Sequence, residues 1–565
     1  MRELRVAFAQ INPTVGDLRG NEATIAELLR RAKRTGVDLV LFPELAVTGY
    51  PPEDLLFKPA FIRANQDCLK RLIPLSQGLA AIVGYAERSP DGHLYNAAAM
   101  IAEGRLAGVY RKMKLPNYGV FDEKRYFVPG ERPVVLELGK QRVKVGISIC
   151  EDIWVENGPC QAEAAAGARL LINISASPYH AGKRRLREEL LTRRARALKS
   201  WVLYINLVGG QDELIFDGDS MAASPSGRIV FRAPQFQEGL FVMDVPVTSG
   251  ESSVGTNVSV LSVPWKPKKR ARCVQRSARP LAADAEVFQA LVLGTRDYIR
   301  KNRFSHVVVG LSGGIDSALV AAIAVAALGK ESVTGVSMPS RYSSAETQAD
   351  AEVLAQRLGI GFLEIPIEQI FTSILETLRS VFDDRPADVT EENLQARIRG
   401  TLLMALSNKF HWLVLATGNK SELSTGYCTL YGDMVGGFAM IKDVPKTWVY
   451  RISRYANRHF GRQIIPGSVF TRPPTAELRP NQRDQDVLPP YNRLDKIVRA
   501  YVEEDLSAAE IRRKVQAPSA EVDRVLKMID TNEYKRRQAP IGIKITPRAF
   551  GRDRRMPITN RYGSA

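Results

Sequence analysis

In the first half of the chain, short apolar runs alternate with amphipathic segments, a pattern typical of buried strands separated by helices. A helix with its cap near Asn21 and its end at Gly36 is predicted after the first strand. Strands at 96–101 and 106–110 flank the turn Glu103-Gly104-Arg105, which indicates a hairpin. The other apolar runs predict strands at 4–9, 39–42, 81–85, 143–149, 170–174 and 202–207. This half is therefore predicted to be a layered α/β domain with both parallel and antiparallel pairing.

A second series of strands and helices begins at about residue 284. Helices are predicted at 285–301, 318–328, 345–358 and 391–410. Strands are predicted between them at 307–311, 333–338, 362–365 and 412–417. Strands that alternate with helices at this spacing indicate a parallel, doubly wound sheet.

Residues 245–283 interrupt both patterns, first with Ser and Gly and then with the basic run from Pro264 to Arg272. We interpret 264–283 as a basic linker between one domain at 1–263 and another at 284–565. The basic run could make a specific contact with nucleic acid, or it could simply be a linker exposed to solvent, which is the simpler interpretation.

The composition excludes several classes of protein. The chain has 565 residues, of which 45% are hydrophobic and 25% charged, which is ordinary for a globular protein of more than one domain. The most apolar uncharged stretch, 318–328, is shorter than the roughly 20 residues that a membrane helix needs. The start of the sequence lacks the pattern of a signal peptide, so we expect a cytoplasmic protein with no membrane partner.

The net charge and the cysteine content exclude fewer functions than the overall composition does. A net charge of +18 favours polyanions, either nucleic acid or phosphate-rich small molecules, but a solvated basic surface gives the same balance. The five cysteines are scattered, without a C-x-x-C pair, which argues against a disulfide framework or a zinc site. Any one of the thiols could be a nucleophile.

A glycine-rich turn joins the predicted strand at 307–311 to the next helix. Its glycines let the backbone approach an anion closely, and the helix start directs free N–H groups at it. The lysine of a Walker A loop is absent. Asp316 would repel bare phosphate but suits a Mg²⁺ ion that bridges to phosphate oxygens; the alternative is a helix cap in a structural turn. The turn consists of Gly310, Leu311, Ser312, Gly313, Gly314, Ile315, Asp316 and Ser317.

The S-G-G-x-D-S string in this turn resembles the pyrophosphate loop of the N-type ATP pyrophosphatases. Members of that family split ATP between its α- and β-phosphates, adenylate an oxygen and let a nucleophile displace AMP. The stretches 392–400, 413–433 and 532–538 are similar to NAD synthetases within that family. The resemblance implies that the turn and Thr417 bind ATP and that Asp316 and Glu422 hold Mg²⁺. It also implies that deamido-NAD contacts Asn393, Glu422 and Lys535.

Three potentially reactive residues in the first half, Glu44, Lys112 and Cys150, each follow a predicted strand. Taken singly, they have ordinary explanations as a turn residue, a surface charge and a small buried residue. Together they could form a covalent site in which a nearby cation lowers the pKa of the thiol and a carboxylate takes its proton. The lysine and the backbone N–H after the cysteine could hold an oxyanion.

This constellation resembles the nitrilase, or carbon–nitrogen hydrolase, superfamily, with Glu44, Lys112 and Cys150 as catalytic residues. Lys114 is a second candidate for the lysine, but the family pattern Y-x-K-x-x-L-P favours Lys112. The stretch 115–123 is similar to the glutaminase domain of glutamine-dependent NAD synthetases. That similarity implies that glutamine is bound by Tyr118, Ser177 and Lys183.

The two resemblances cover nearly the whole chain. They imply a nitrilase-like α-β-β-α sandwich followed by a Rossmann-like domain with a doubly wound parallel sheet. Glutamine would release ammonia through a Cys150 thioester, and ammonia would pass through an enclosed route to adenylated deamido-NAD, giving NAD, AMP and pyrophosphate. The expected partners are glutamine, ATP with Mg²⁺ and deamido-NAD, without nucleic acid. A homo-oligomer is expected by analogy with nitrilase domains.

Two alternatives remain open from the sequence. An amidase fused to an RNA-modifying adenylating domain would fit the positive charge and predicts salt-sensitive tRNA binding. A nucleotide-binding module with a decayed glutaminase predicts the loss of Glu44, Lys112 or Cys150, and all three are present.

Overall fold

A computed structural model describes residues 2–248, 257–266, 268, 271, 273, 277–383 and 385–562. The chain divides into two compact units. The first unit comprises Met1–Gln211 and Ile215–Leu281, and the second comprises Asp212–Leu214 and Ala282–Ala565. None of the helices in the described ranges has the length and apolar character needed to cross a bilayer.

The first part of the chain is rich in strands. These are β1 (Arg2–Gln10), β2 (Leu39–Leu41), β3 (Ala80–Arg88), β4 (Leu94–Ala102), β5 (Arg105–Arg111), β6 (Val134–Leu138), β7 (Val143–Ile149), β8 (Leu170–Ser175), β9 (Trp201–Asn206), β10 (Val208–Gln211), β11 (Leu214–Asp217), β12 (Met221–Ala223), β13 (Ile229–Arg232), β14 (Gly239–Val247) and β15 (Ser259–Val263). The helices are α1 (Leu18–Arg34), α2 (Pro59–Leu72), α3 (Pro159–Ala165) and α4 (Lys183–Leu198).

Two large sheets form the centre of the first unit. Their strand orders are β14-β1-β2-β3-β4-β5 and β13-β12-β9-β8-β7-β6-β15. Apolar side chains of both sheets, such as Phe8 and Ile147, share one buried cluster. Helix α2 packs against β3, and α3 and α4 pack against strands of the second sheet. The predicted α-β-β-α sandwich is therefore confirmed.

Local predictions in this unit were met with one exception. The hairpin is present, since β4 and β5 pair antiparallel with Ala102 opposite Arg105. The predicted cap of α1 is wrong, because Asp17 caps the helix by accepting a hydrogen bond from Gly20 N at 3.0 Å. Asn21 lies inside α1 and turns its buried amide to Thr14 O at 2.9 Å.

The predicted basic linker is partly fixed to the first unit. Lys268 donates to Val37 O at 2.9 Å and to Gly78 O at 3.0 Å, so this lysine is not merely solvated. Residues 267, 269, 270, 272 and 274–276 of the predicted linker lie outside the described residues.

The second unit is built around a smaller sheet. Its strands are β16 (Val307–Gly310), β17 (Val333–Ser337), β18 (Gly361–Glu364) and β19 (Leu413–Leu415). Its helices are α5 (Ala283–Lys301), α6 (Ile315–Leu328), α7 (Ala345–Leu358), α8 (Glu368–Phe382), α9 (Val389–Phe410), α10 (Lys420–Thr425), α11 (Lys446–His459), α12 (Gly467–Thr471), α13 (Tyr491–Val498), α14 (Ala508–Val515), α15 (Ser519–Thr531) and α16 (Glu533–Arg536). The sequence had not predicted α8 or the helices after α9.

The strands of this sheet are parallel and follow the order β18-β17-β16-β19, which confirms the predicted doubly wound sheet. The chain moves outward from β16 to β18 and then returns to place β19 on the other side of β16. The strand order therefore reverses between β16 and β19, and ligands of open α/β sheets bind at such a switch point. The glycine-rich turn predicted to bind ATP follows β16, and Thr417, also predicted to bind ATP, follows β19.

Candidate active sites

Loops after β2, β5 and β7 bring Glu44, Lys112 and Cys150 to one buried site in the first unit. The ammonium of Lys112 lies 2.7 Å from Glu44 Oε1. The exposed fractions of Glu44, Lys112 and Cys150 are 0%, 1% and 4%, so water has little access to the charges. The pKa of the Cys150 thiol responds to the charges of the other two residues, which places the thiol beside them.

Backbone geometry explains why two of these residues sit where they do. A Cβ at Gly84 on β3 would lie 2.3 Å from Pro43 O, so only glycine lets the Glu44 turn pack against that strand. Cys150 has a φ of 42°, a left-handed conformation that non-glycine residues seldom adopt. It opens the turn Cys150–Ile153 directly after β7. Such local strain is commonly found at functional sites.

A second glutamate, Glu123, completes the site and was not predicted. Its Oε1 lies 2.8 Å from Lys112 Nζ and accepts a hydrogen bond from Tyr50 Oη at 3.1 Å. Burial raises the pKa of Glu123 to about 7, against the effect of the neighbouring ammonium. The only signal in the sequence was its place in the stretch 115–123, because no periodicity brings a loop residue to the end of a distant strand.

The two glutamates keep Lys112 charged. Burial alone would lower the pKa of Lys112, but the carboxylates of Glu123 and Glu44 outweigh it and raise that pKa well above the usual value. The site therefore holds a permanent ammonium next to the thiol.

The pKa of the Cys150 thiol differs from our expectation. We expected the cation to lower the pKa of Cys150, but burial and the Glu44 carboxylate raise it well above the usual range and outweigh Lys112. Cys150 therefore rests as a thiol. A thiol must lose its proton to become a good nucleophile, so a nucleophilic role for Cys150 would require a base.

The structure distinguishes the two candidate lysines. Lys112 provides the ammonium beside Glu44, whereas Lys114 donates its backbone N–H to Asp152 Oδ1 at 2.8 Å. Asp152 also accepts from Tyr110 Oη at 2.6 Å and from Ile149 N at 2.9 Å. Asp152 thus ties the turn after the cysteine to the loop after the lysine.

Of the three predicted glutamine-binding residues, Tyr118 contacts this turn and Lys183 contacts the residue that follows it. Tyr118 is largely exposed and donates to Glu151 Oε2 at 3.0 Å. Lys183 begins α4, and its Nζ lies 4.2 Å from the centre of the Trp154 ring. Ser177 follows β8, and its backbone N–H donates to Asn206 Oδ1 at 2.8 Å.

The predicted phosphate loop of the second unit leads from Gly310 at the end of β16 into α6, whose first residue is Ile315. Gly313 has a φ of 73°, and a Cβ there would lie 2.2 Å from Thr347 O, so this position requires glycine. Ser317 Oγ donates to Gly314 O at 3.1 Å and lies 3.3 Å from Ser312 Oγ. Both hydroxyls therefore face the helix start, where an anion binds most favourably.

Asp316 and Glu422 converge on a lysine that was not predicted. Lys446 Nζ lies 2.5 Å from Asp316 Oδ2 and 3.0 Å from Glu422 Oε1. Asn419 donates to Asp316 Oδ1 at 2.9 Å. Gly314, not Asp316, is the capping residue of α6, so the helix-cap alternative for Asp316 is wrong. Lys446 begins α11 in a stretch where no motif was identified, so the sequence offered no signal for it.

Burial shapes the charges of this cluster. It raises the pKa of Glu422 to about 8, and the Asp316 carboxylate adds to the effect. The pKa of Lys446 is raised as well, because the two carboxylates outweigh its burial. Two half-buried carboxylates that face one point favour a cation at that point.

The donor set fits Mg²⁺. Proteins commonly bind this ion through one or two carboxylates together with substrate phosphates, and Asp316 and Glu422 provide the carboxylates next to a phosphate loop. In the described ranges, no group of three or more His, Cys, Asp or Glu side chains could hold a metal by itself.

The other predicted nucleotide residues lie around α10. Thr417 is half-buried between β19 and α10. Asn393 Oδ1 accepts a hydrogen bond from Thr429 Oγ1 at 2.8 Å. Lys535 Nζ donates to Gly426 O at 2.8 Å and to Cys428 O at 2.9 Å. Asn393 and Lys535 therefore meet the same loop, which follows the helix that carries Glu422.

Comparison with known proteins identifies the class of each unit. The carbon-nitrogen hydrolase family model matches residues 5–252, and the NAD synthase family model matches residues 287–539. The chain is thus an enzyme that joins a nitrilase-type domain to an NAD synthase domain.

Relatives that match over the full length of the chain show which family it belongs to. The glutamine-dependent NAD(+) synthetase of Thermotoga maritima is 50% identical over 577 residues, which cover 100% of this chain and 99% of the relative. That of Aquifex aeolicus is 46% identical over 575 residues, covering 99% of this chain and 100% of the relative. A solved structure of the Acinetobacter baumannii enzyme with ADP is 42% identical, with a TM-score of 0.77 and 99% of each chain covered. This chain belongs to the glutamine-dependent NAD(+) synthetase family.

Proposed function

We propose that the protein amidates deamido-NAD to NAD with ammonia released from glutamine, while ATP is cleaved to AMP and pyrophosphate. The observation that carries this proposal is the buried cluster of Cys150, Glu44 and Lys112 in a chain whose second unit holds a phosphate loop beside two carboxylates. The family match supports it over an RNA-modifying enzyme, which the net charge alone had left open.

In the first unit, Cys150 Sγ attacks the amide carbon of glutamine while Glu44 accepts the thiol proton. Lys112 and the backbone N–H of Glu151 stabilise the oxyanion that develops. Glu44 then returns the proton to the leaving nitrogen, the C–N bond breaks and ammonia departs from a thioester. Water attacks the thioester with Glu44 as base, and glutamate and the free thiol are released.

In the second unit, the loop N–H groups with Ser312 and Ser317 bind the ATP phosphates, and Thr417 adds a further ATP contact. Asp316 and Glu422 would hold Mg²⁺, and the ion would neutralise charge on the phosphate oxygens. The carboxylate of deamido-NAD attacks the α-phosphorus, forms an adenylate and expels pyrophosphate. Ammonia then attacks the activated carbonyl carbon and displaces AMP. The residues assigned to deamido-NAD are Asn393, Glu422 and Lys535.

The direct test is NAD formation from deamido-NAD, ATP and Mg²⁺ with either glutamine or ammonium as nitrogen source. We expect activity with both sources. Activity with ammonium alone would contradict the glutaminase assignment, and inactivity with both would contradict the synthetase assignment and make tRNA the next substrate to examine.

We propose that ammonia passes between the two reactions without release into bulk water. Ammonia is protonated near pH 7, and the ammonium ion is not a nucleophile, so free diffusion would waste most of it. An enzymatic ammonia scavenger in the medium should therefore leave glutamine-driven NAD formation nearly unchanged while it suppresses ammonium-driven formation. Complete suppression with both sources would refute the enclosed passage.

Lys183 predicts a pH dependence of glutamine binding. Burial, with a contribution from Arg187, lowers the pKa of Lys183 to about 8, so the side chain is cationic below that pH and neutral above it. If the cation binds the glutamine carboxylate, KM for glutamine should rise roughly tenfold per pH unit above about pH 8, while kcat changes less.

Lys183→Arg is the control, because arginine stays charged throughout this range. KM of that variant should remain flat between about pH 7 and pH 9. An equal rise in both proteins would assign the titration to another group.

We infer that the protein works in the cytoplasm on small molecules. All five cysteines are free thiols, which suits a reducing compartment. By analogy with other nitrilase-type domains we expect a homo-oligomer.

A further inference from the structure

Lys112 and Cys150 follow strands of two different sheets of the first unit. Lys112 comes directly after β5 of one sheet, and Cys150 comes directly after β7 of the other. Because β5 pairs with β4 and β7 pairs with β6 and β8, these pairings do not fix the ammonium relative to the thiol. Both sheets share one apolar cluster, but apolar packing is non-directional and does not by itself set such a distance.

Asp152 holds the turn that carries Cys150. Ile149 N donates to Asp152 Oδ2 at 2.9 Å, so this hydrogen bond spans the cysteine and closes the turn. Cys150 has a φ of 42°, a left-handed conformation that costs free energy for a residue with a side chain. Such a conformation persists only where the surrounding contacts hold it, and the bond across the turn is one of those contacts.

The same carboxylate holds the chain on both sides of Lys112. Tyr110 Oη donates to its Oδ2 at 2.6 Å, and the backbone N–H groups of Met113 and Lys114 donate to its Oδ1 at 3.2 Å and 2.8 Å. The backbone N–H of Lys112 itself donates to Asn96 O on the neighbouring strand at 2.8 Å. Loss of the carboxylate should therefore loosen the segment around the lysine without removing the strand that leads to it.

Burial makes these hydrogen bonds strict. The exposed fraction of Asp152 is 0%. Burial raises its pKa to about 6, against the effect of its donors and of the Lys112 ammonium, so the side chain is a carboxylate at pH 7 to 8. The four groups that contact it are all donors. A carboxylate can accept from all of them, whereas an amide offers only one acceptor oxygen.

We propose that Asp152 is a positioning residue that sets the distance between the Lys112 ammonium and the Cys150 thiol. This inference rests on the proposed glutaminase function of the Cys150 site. One carboxylate that binds both segments keeps the ammonium where the oxyanion develops, and it acts through these segments and not on the substrate. A displacement of about 1 Å between groups of this kind lowers a rate by a factor of about 10².

The test measures glutamate release from L-glutamine by full-length Asp152→Asn. Asparagine keeps the shape of the side chain, but its NH₂ group replaces one acceptor and meets two of the four donors. We expect kcat and kcat/KM to fall together by roughly 100-fold, with KM within about threefold of wild type. NAD formation from ammonium does not use this site and should stay within about twofold of wild type.

Tyr110→Phe tests the same link with a smaller change. Tyr110 is fully buried, and phenylalanine fills the same space apart from the hydroxyl. The variant keeps the carboxylate and its three backbone donors, so it remains informative if Asp152→Asn fails to fold. We expect kcat for glutamate release to fall by roughly three- to tenfold at an unchanged KM, since one of four hydrogen bonds to the charged group is lost.

Glu163→Gln is the matched control. Glu163 is another fully buried carboxyl of the first unit, and it lies on α3, which packs against β7. Burial raises the pKa of Glu163 well above its usual range, so glutamine matches the protonated side chain in charge and shape. This variant should release glutamate from glutamine within about twofold of the wild-type rate.

Several results would overturn the role of Asp152. A wild-type kcat in Asp152→Asn or in Tyr110→Phe would show that the hydrogen bonds do not set the active geometry. A higher KM at unchanged kcat would mean that Asp152 serves glutamine binding, and an equal loss in Glu163→Gln would assign the effect to any change at a buried carboxyl. Failure of wild type to release glutamate from glutamine would instead refute the glutaminase function itself.

Discussion

Cys150→Ala should abolish NAD formation from glutamine and leave NAD formation from ammonium within about twofold of wild type. The variant lacks the atom that forms the thioester, so no ammonia is released, and residual glutamine-driven activity should fall by a factor of about 10⁴ or more. The second unit does not need this thiol when ammonium is supplied. The measurement is the initial rate of NAD formation with each nitrogen source at saturating deamido-NAD and ATP.

Cys160→Ala is the matched control. Cys160 is also a buried thiol of the first unit, and its Sγ contacts Ser148 Oγ at 3.6 Å. This variant should keep both activities apart from a small loss of stability. If Cys150→Ala lost both activities equally, the assignment of two separate reactions would be refuted.

The positions of buried strands were predictable because a buried strand appears in the sequence as a run of apolar residues. Runs of branched apolar residues marked β7 and β16 nearly to the residue, since strands buried on both faces need apolar side chains throughout. The hairpin of β4 and β5 was recognised from its glycine turn. The cap of α1 was missed because Asp17 and Asn21 are both good caps, and only tertiary contacts decide between them.

The site was predictable only where a motif or a strand end marked its residues. Glu44 and Lys112 come shortly after β2 and β5 of one sheet and Cys150 follows β7 of the other, so the family motifs and not strand pairing indicated that the three residues meet. Glu123 and Lys446 come from elements distant in sequence and meet the site through tertiary folding alone. The raised pKa of Cys150 could not be predicted from the sequence either, because its main cause is burial and not a residue nearby in the sequence.

Asp316→Asn should abolish NAD formation with both nitrogen sources and leave only glutaminase activity. Asparagine keeps the shape of the side chain and can still accept the hydrogen bond from Asn419, which is 2.9 Å long in the wild type. It removes one of the two carboxylates that face Lys446, and with it half of the charge available to Mg²⁺. We expect ammonium-driven synthesis to fall by a factor of about 10³ or more, as for the loss of a group that stabilises charge in the transition state.

In Asp316→Asn, misfolding can be distinguished from the loss of the synthetase reaction. Glu422 still pairs with Lys446 at 3.0 Å, so no charge is left buried alone, and glutamate release from glutamine should persist at a measurable rate. Asp523→Asn is the matched control, because Asp523 is a partly exposed carboxylate on α15 that pairs with Arg512. That variant should synthesise NAD at the wild-type rate. If Asp316→Asn instead retained synthesis from ammonium, the carboxylate would not be part of the ATP site, and the phosphate loop would have to act without it.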